Sequence, residues 1–561
     1  MFRHGSAWDT ILYPMRIAPL HARPTLLQAG ALLLLALPLY LAWLGAVGLS
    51  DPDEPYYAVP ALEMLKSGTW SLTIFRGQPW FDKPILFYWV VLGAYRLVGV
   101  SEFAARIGSA LAGAAGVLGL FAMGRRVGLR GRAAFAAALI LATSLEYVLL
   151  ARSAVTDMTL ACVLTFGMLA VAAYLERGGT LAAGWAGAAF GLAALTKGPV
   201  GLLLPCVALA AYGLLARRSD LLRPWALAAG AAGAVACAGP WYLYMALSHR
   251  DLLVGTFLGD GNLGRFLDPE HPAFPFYYAV VLAGGLLPWS GALPATLLGA
   301  ARPSAWAAER GPGSRPGPLF ALCWFGAVLL VFSLSASKLP SYVLPALPPA
   351  ALLLAGYWDA ALDQAGGRAR SGGVRLSAAL GVAAALGAGA GMLLMARRAG
   401  WDAALPGLAA AGAALLLGSV AALVAVRRGR LDGFLAAGAA GSLGAVLALV
   451  ALVTPRLEPF HSNRPLIRAL EGAGIEAGRV VGAYHVSDVS LDFYLGRSVP
   501  NVTELDALKR LATAAPEGIW IVRNRDLADL ERDPALGAVP IERGPRRSAV
   551  RFAAVRAREA P

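Results

Sequence analysis

The chain has 561 residues, 58% of them hydrophobic and 15% charged, with a mean hydropathy of +0.61. Soluble globular chains are nearer roughly 45–50% apolar and about 25% charged, so a soluble enzyme, a disordered chain and a disulfide-stapled chain are excluded. The net charge of +14 would suit a nucleic-acid ligand, but its distribution does not. Residues 455–561 hold 16 Lys/Arg against 14 Asp/Glu, which leaves +12 among the apolar segments of the first 454 residues. Basic residues in short loops between apolar runs mark the cytoplasmic side of a membrane protein. No nucleic-acid partner is expected.

Thirteen apolar runs are long enough to be candidate spans, since a crossing needs about 20 apolar residues. They are 27–48, 104–123, 133–150, 158–175, 181–196, 199–216, 224–247, 274–300, 318–336, 341–358, 376–396, 405–426 and 433–453. The first is too long for a signal-peptide core and reads as a retained anchor. A further run, Pro84–Val98, is short and carries Arg96, so it is placed on the membrane surface or as a re-entrant segment. With a cytoplasmic N-terminal arm at 1–26, this count puts Arg125, Arg126, Arg130 and Arg132, Arg217, Arg218 and Arg223, and Arg427, Arg428 and Arg430 inside. It also puts the tail outside. The expected architecture is therefore a polytopic α-helical domain over 27–453, with a large first external loop at about 50–103 and a small external α/β domain at 454–561.

Within the first external loop, Pro55–Lys66 mixes apolar and polar positions at near-helical spacing and stops at Ser67-Gly68. This predicts an amphipathic helix in the interface. Gly77-Gln78-Pro79 predicts a turn, and Trp80, Phe81, Phe87, Tyr88 and Trp89 form an aromatic cluster suited to the headgroup level. In the tail, Val480–Val486, Gly518–Val522 and Arg547–Val555 read as strands, and Asn463–Glu471 and Leu505–Ala514 as helices. The four cysteines all lie in apolar runs without metal-ligand spacing and read as small core residues.

The polar residues with chemical potential gather at outward helix ends. Asp51-Pro52-Asp53-Glu54 follows the first span, and crowded, poorly solvated carboxylates make one of them a usable base. The alternative is an acidic loop that stops a helix. Asp82-Lys83-Pro84 offers a phosphate-binding lysine, with Asp82 to orient it or hold a metal; a snorkelling lysine is the plainer reading. Arg152 and Asp157 flank a short turn and could simply lock it. Lys197-Gly198-Pro199 interrupts a long apolar stretch, where ionisable residues are functional candidates. His271, in Asp268-Pro269-Glu270-His271-Pro272, is by residue type more often structural than a ligand. Lys338 and Tyr342 complete the set. Several cations and carboxylates on one face describe a pocket for an anionic, lipid-borne substrate. A transporter would instead place such groups near the bilayer midplane on broken helices.

In this order the motifs resemble the bacterial 4-amino-4-deoxy-L-arabinose lipid A transferase family, which is related to the protein O-mannosyltransferases within the C-type membrane glycosyltransferases. The matching pieces are Asp53-Glu54-Pro55-Tyr56-Tyr57-Ala58 with Glu63–Gly68, Phe81–Trp89, Glu102–Arg106, Asp157-Met158, Thr196–Pro199, the His271 loop ending at Tyr278, and Ser337–Tyr342. The resemblance implies about thirteen transmembrane helices, a periplasmic C-terminal domain and an inner-membrane location. It implies an enzyme moving a sugar from a polyprenyl-phosphate carrier to lipid A or another envelope acceptor. Asp53 matches the family's catalytic carboxylate and Lys83 a donor-phosphate residue. Glu54, Tyr56, Tyr57, Arg152, Asp157, Lys197, Lys338 and Tyr342 fall to substrate binding. Asp82 and His271 match positions where a relative holds a metal, so a divalent ion such as zinc is a possible but not a required cofactor. Relatives carry arginine where this chain has Tyr56 and often glutamate where it has Asp82, which leaves the sugar open. A protein- or polysaccharide-modifying transferase differs only in acceptor.

Overall fold

The computed structural model describes residues 23–268, 271–363, 372–533, 536, 539–543 and 552–556. Most of the expected N-terminal arm, and Glu270 of the His271 loop, lie outside the described residues. Among the described residues, six helices are long and apolar enough to cross a bilayer alone. Three of these are α4 (Glu102–Arg126), α7 (Thr156–Arg177) and α10 (Pro224–Ser248); the others are Gly372–Arg398, Asp402–Arg427 and Leu431–His461. A bent pair, α5 (Gly131–Thr143) and α6 (Leu145–Ala151), forms a seventh if taken as one span. The chain is a polytopic helical membrane protein.

Several predicted spans are interrupted, each for a legible reason. The first helix, α1 (Arg23–Leu41), stops short of the expected 27–48. Two arginines from later in the chain collect the carbonyls at and beyond its end: Arg152 takes those of Leu39, Tyr40 and Ala42, and Arg106 those of Leu44, Val47 and Gly48. Satisfied carbonyls let a helix end inside a protein without the penalty of orphaned acceptors. The expected span 133–150 bends by 62° between α5 and α6. The Thr143 and Ser144 hydroxyls bond back to the carbonyls of Leu139 and Ile140 at 2.7 Å, a local competition that bends helices. The span 274–300 splits into Tyr277–Gly285 and Leu293–Ala300 around Pro288, and 341–358 begins as a 3-10 turn, Pro340–Ala346, before the helix Leu347–Asp363.

Close backbone approach tightens the bundle. Between α8 (Thr180–Lys197) and α10, a Cβ added at Gly187 would lie 1.8 Å from the Gly230 carbonyl oxygen, so only glycine permits the contact. Small residues at such crossings are the usual device of helix packing in lipid, where burial of apolar surface gives little drive. The main core joins α1, α4, α5, α7 and the helix Leu347–Asp363.

The loop at about 50–103 contains the expected helix, α2 (Pro55–Ser67), capped by Gly68 at φ 73°, and the expected turn closes a hairpin of β1 (Ile74–Phe75) and β2 (Gln78–Pro79). The α3 helix (Leu86–Val98) follows. At 13 residues it is about 20 Å long, too short to cross. The apolar positions of α2 are packed inside the protein: Pro55, Ala58, Val59, Pro60, Ala61, Leu62 and Met64 are buried. Much of that burial is against α3, the start of α4, and Val489 and Phe493 of the tail. Protein, not lipid, covers most of this helix.

The tail forms a mixed five-stranded sheet. Its strands are β3 (Val480–Tyr484), β4 (Asn501–Val502), β5 (Ile519–Arg523), β6 (Val539–Arg543) and β7 (Phe552–Arg556), in the order β4-β3-β5-β7-β6. The first three are parallel and the last two antiparallel. This sheet region is tied by polar links to the loop that follows α1 and to the start of α4. Arg464 pairs with Glu458 and Glu102, the Ser490 amide donates to Asp51, and Arg76 pairs with Asp492 at 2.7 Å. The Leu49 amide donates to the Tyr494 hydroxyl at 2.7 Å.

Candidate active site

The turn after α1 carries Asp53 into a cavity of about 980 Å³, bounded by the loop at about 50–103, α6, the start of α7, the end of α8 and segments near 256–285 and 339–342. Of the residues singled out in the sequence, Asp53, Tyr56, Tyr57, Asp82, Lys83, Asp157, Lys197, His271 and Tyr342 line it. Residues more than 280 positions apart in the chain thus share one chamber. Its wall is mixed: Leu145, Leu149, Leu150, Val280 and Val281 stand beside the charged groups.

Three of the expected binding residues lie elsewhere. Glu54 is buried behind the wall and paired with Arg106 at 2.5 Å, and its carboxylate also accepts from the Ser50 and Ala154 amides at 2.8 Å. It braces the loop that presents Asp53. Arg152 is spent on the carbonyls at the end of α1. Lys338 donates its Nζ to the Ser335 carbonyl at 2.5 Å and does not line the cavity.

The electrostatics distinguish the carboxylates. Burial raises the Asp53 carboxyl above the usual carboxylate range, and Asp157 and Glu54 add to the rise while His271 and Lys197 oppose it. Asp53 is exposed and lines the cavity, so its carboxylate is accessible to small molecules there. Burial also pushes Glu54 up, but the Arg106 charge and hydrogen bonds outweigh it and hold that carboxyl below its ordinary value. The same balance, with Lys83 and Arg265 as the cations, lowers Asp82. Burial lowers the Lys83 ammonium, with Asp82 supporting its charge and Arg265 opposing it.

The cations are arranged around these acids. Lys83 meets Asp82 at 2.8 Å and Arg265 meets it at 3.0 Å; Lys197 meets Asp157 at 2.5 Å and lies 4.5 Å from the centre of the Tyr342 ring. Aromatic side chains hold the rim: Tyr56 stacks on Trp80 at 5.7 Å, and Phe81 stacks on Phe257 at 4.2 Å.

A metal does not fit the expected pair. Both Asp82 oxygens already face cations, and a divalent ion would have to displace Lys83 or Arg265. Among the described residues no three His, Cys, Asp or Glu side chains are grouped as a metal site.

The model of the family described as dolichyl-phosphate-mannose-protein mannosyltransferase matches residues 82–244. An undecaprenyl phosphate-alpha-4-amino-4-deoxy-L-arabinose arabinosyl transferase of Edwardsiella ictaluri is 34% identical over 316 residues, 55% of this chain and 55% of its own length. The protein of the same description from Pseudomonas aeruginosa is 33% identical over 334 residues, 58% of this chain and 59% of its own. The matching segment thus spans little more than half the length of these curated relatives. The crystal structure of ArnT from Cupriavidus metallidurans bound to undecaprenyl phosphate superposes with a TM-score of 0.73. That match is 26% identical and covers 95% of this chain and 98% of the other. The chain is similar to ArnT in fold over nearly its whole length. The motif resemblance over residues 50–345 therefore extends, at the level of fold, through the tail as well.

Sequence reasoning missed Glu146, Asp260 and Arg265, all of which line the cavity. Glu146 had a readable signal, an acidic residue inside an apolar run, which is a functional candidate by default. Arg265 had none, since its role depends on the fold carrying it to Asp82.

Proposed function

We propose that the protein is an integral-membrane glycosyltransferase that moves a sugar from a polyprenyl-phosphate donor to an acceptor on the periplasmic side of the inner membrane. The acceptor in this reading is lipid A or another envelope glycolipid. The observation that carries it is a single cavity joining Asp53, with its raised pKa, to Lys83, Lys197 and Arg265 beside an apolar wall. The likeness to ArnT bound to undecaprenyl phosphate supports the same donor class. The topology in this proposal has thirteen crossings, with α3 on the outer face and the tail sheet in the periplasm.

The reaction is an inverting displacement. An acceptor hydroxyl attacks the anomeric carbon, and the new C–O bond forms as the bond from that carbon to the phosphate oxygen breaks. The electron pair leaves with polyprenyl phosphate. The acceptor proton passes to the Asp53 carboxylate, whose raised pKa suits it to a proton. The cations at the Asp82 cluster offset the charge that grows on the leaving phosphate. When the acceptor is itself a phosphate, Asp53 orients it and takes no proton. The apolar wall residues Leu145, Leu149 and Val281 suit the first isoprene units of the donor.

The mannosyltransferase family match over residues 82–244 favours a second reading with a protein acceptor. Mass spectrometry of lipid A and other envelope glycans separates the two. The comparison is a strain lacking this protein, the strain restored with wild type, and the strain restored with Asp53→Asn. The transferase reading expects one glycosyl mass to vanish, return with wild type and stay absent with membrane-inserted Asp53→Asn. Full restoration by Asp53→Asn would overturn the catalytic assignment, and a change confined to envelope proteins would select the second reading.

A further inference from the structure

The loop that presents Asp53 is held largely by the tail. Over 48–50 the chain has no regular secondary structure, so its amides need partners from elsewhere. Four consecutive amides find them. Gly48 donates to Glu458 Oε1 at 2.7 Å, Leu49 to the Tyr494 hydroxyl at 2.7 Å, Ser50 to Glu54 Oε2 at 2.8 Å and Asp51 to the His461 carbonyl at 2.7 Å. Glu458, His461 and Tyr494 all belong to the tail. The Asp51 carboxylate accepts in turn from the Ser490 amide at 3.0 Å, and Arg464 reaches the carbonyls of Gly45 and Ala46.

One short helix, Ser490–Leu495, concentrates these ties. Ser490 holds Asp51 and Tyr494 holds Leu49. Between them, the buried Asp492 pairs with Arg76 at 2.7 Å, at the tip of the β1–β2 hairpin. Phe75 in that hairpin and Trp80 just beyond it both line the cavity, and the Arg76 guanidinium lies 5.2 Å from the Phe75 ring centre. Six residues of the tail therefore grip two walls of the chamber. Ordinary packing between domains buries side chains and leaves the main chain to its own secondary structure. Here the main chain itself is held, two residues before Asp53. Two residues of extended chain reach at most about 7 Å, so there is little slack to absorb a shift of the helix before it reaches the carboxylate.

We infer that the tail is a working part of the cavity, with Tyr494 and Asp492 as positioning residues that fix the loop presenting Asp53 and the hairpin presenting Phe75. Neither lines the cavity, so each acts through the segment it holds. The effect on turnover rests on the transferase reading, in which a misplacement of about 1 Å costs up to about 10²-fold. Tyr494→Phe keeps the ring, which meets Phe493 edge-on at 5.2 Å. It removes only the hydroxyl that accepts from Leu49 and donates to Glu102 at 3.2 Å. The expected result is a fall in kcat of about ten-fold with the donor KM within about three-fold of wild type, because Lys83, Lys197 and Arg265 keep their places.

The test uses purified full-length protein in detergent and two readouts. The first is amide hydrogen exchange by mass spectrometry, which needs no turnover. Tyr494→Phe should speed exchange over residues 48–51 by at least about five-fold, and Asp492→Asn should do the same over 74–80. The second is steady-state kinetics, with lipid A as acceptor probe and the donor named for the relatives, undecaprenyl phosphate-linked 4-amino-4-deoxy-L-arabinose. Leu508→Ala is the control: Leu508 is buried in a separate tail cluster with Trp520 and Leu527, so its loss loosens the tail without touching the ties. It should leave exchange over 48–51 and kcat as in wild type. Unchanged exchange in both Tyr494→Phe and Asp492→Asn would overturn the inference. So would faster exchange over 48–51 with an unaltered kcat, or an equal fall in kcat in Leu508→Ala. A wild type that turns over neither probe counts against the transferase reading, while faster exchange in the variants still supports the tie between tail and cavity.

Discussion

Replacing Arg106 with methionine tests the brace behind the loop that presents Asp53. Arg106 and Glu54 have side chains only 5% and 6% exposed. The guanidinium donates to Glu54 through Nε at 2.7 Å and Nη2 at 2.5 Å, and to the carbonyls of Leu44, Val47 and Gly48 at 2.7–2.9 Å. Arg106→Met fills similar volume but strands a buried carboxylate and three acceptors. Breaking a buried pair from one side costs about 3–5 kcal/mol. The carbonyls would add about 1–3 kcal/mol each if nothing relaxed, but Glu54 can take up a proton and water can enter, so the terms do not sum. The expected loss is therefore about 3–5 kcal/mol, measured by reversible unfolding in mixed micelles titrated with dodecyl sulfate. In a cycle with Glu54→Gln, the double variant should be more stable than the sum of the single effects by at least about 1 kcal/mol, because the neutral amide of the glutamine leaves no stranded charge. A loss below about 1 kcal/mol for Arg106→Met, or strict additivity in the cycle, would refute the bracing role. The pH dependence has a defined sign. A carboxyl held below its ordinary value gives stability that is present above the unfolded pKa and lost as pH falls through the lower folded one. Glu54→Gln should flatten that acid limb.

Three further outcomes follow from the site. Because Asp53 is raised above the carboxylate range and must be ionised to accept a proton, kcat/KM should fall as pH drops through a value higher than that of an ordinary aspartate; Asp53→Asn should cut kcat by about 10²–10⁴ and abolish that limb. Lys83→Met should lower kcat by about 10²–10³ if its charge offsets the leaving phosphate, read in single-turnover experiments with donor in excess; an unchanged kcat with a raised KM would confine Lys83 to ground-state binding. Arg152→Ala should destabilise by about 1–3 kcal/mol through the uncapped carbonyls of α1 and leave the donor KM unchanged, whereas a raised KM would return Arg152 to the binding site.

The membrane class was legible in composition, because no soluble chain sustains so many apolar runs. The cavity-lining residues Asp53, Lys83, Asp157, Lys197 and Tyr342 were legible too, since ionisable groups at helix ends in an apolar chain are functional candidates by default. Pattern could not divide residues that touch the cavity from those that support it. Glu54 is adjacent to Asp53 in sequence, yet a one-residue step around the turn sends its carboxylate to Arg106 and away from the cavity. Arg152 and Lys338 look like phosphate binders by type, but both are claimed by backbone carbonyls. Their partners lie where only the packed chain puts them. Helix ends were similarly hidden: Leu26–Leu49 is a continuous apolar run, and its helix ends at Leu41 because arginines distant in sequence satisfy the carbonyls that follow. The cavity itself exists because α5 and α6 bend at Thr143 and Ser144 and Gly285 leaves space opposite Glu146. Sequence determines which side chains a membrane protein can use for chemistry. Tertiary structure decides which of them are already satisfied, and only those left with unspent charge or hydrogen bonds remain to meet a substrate.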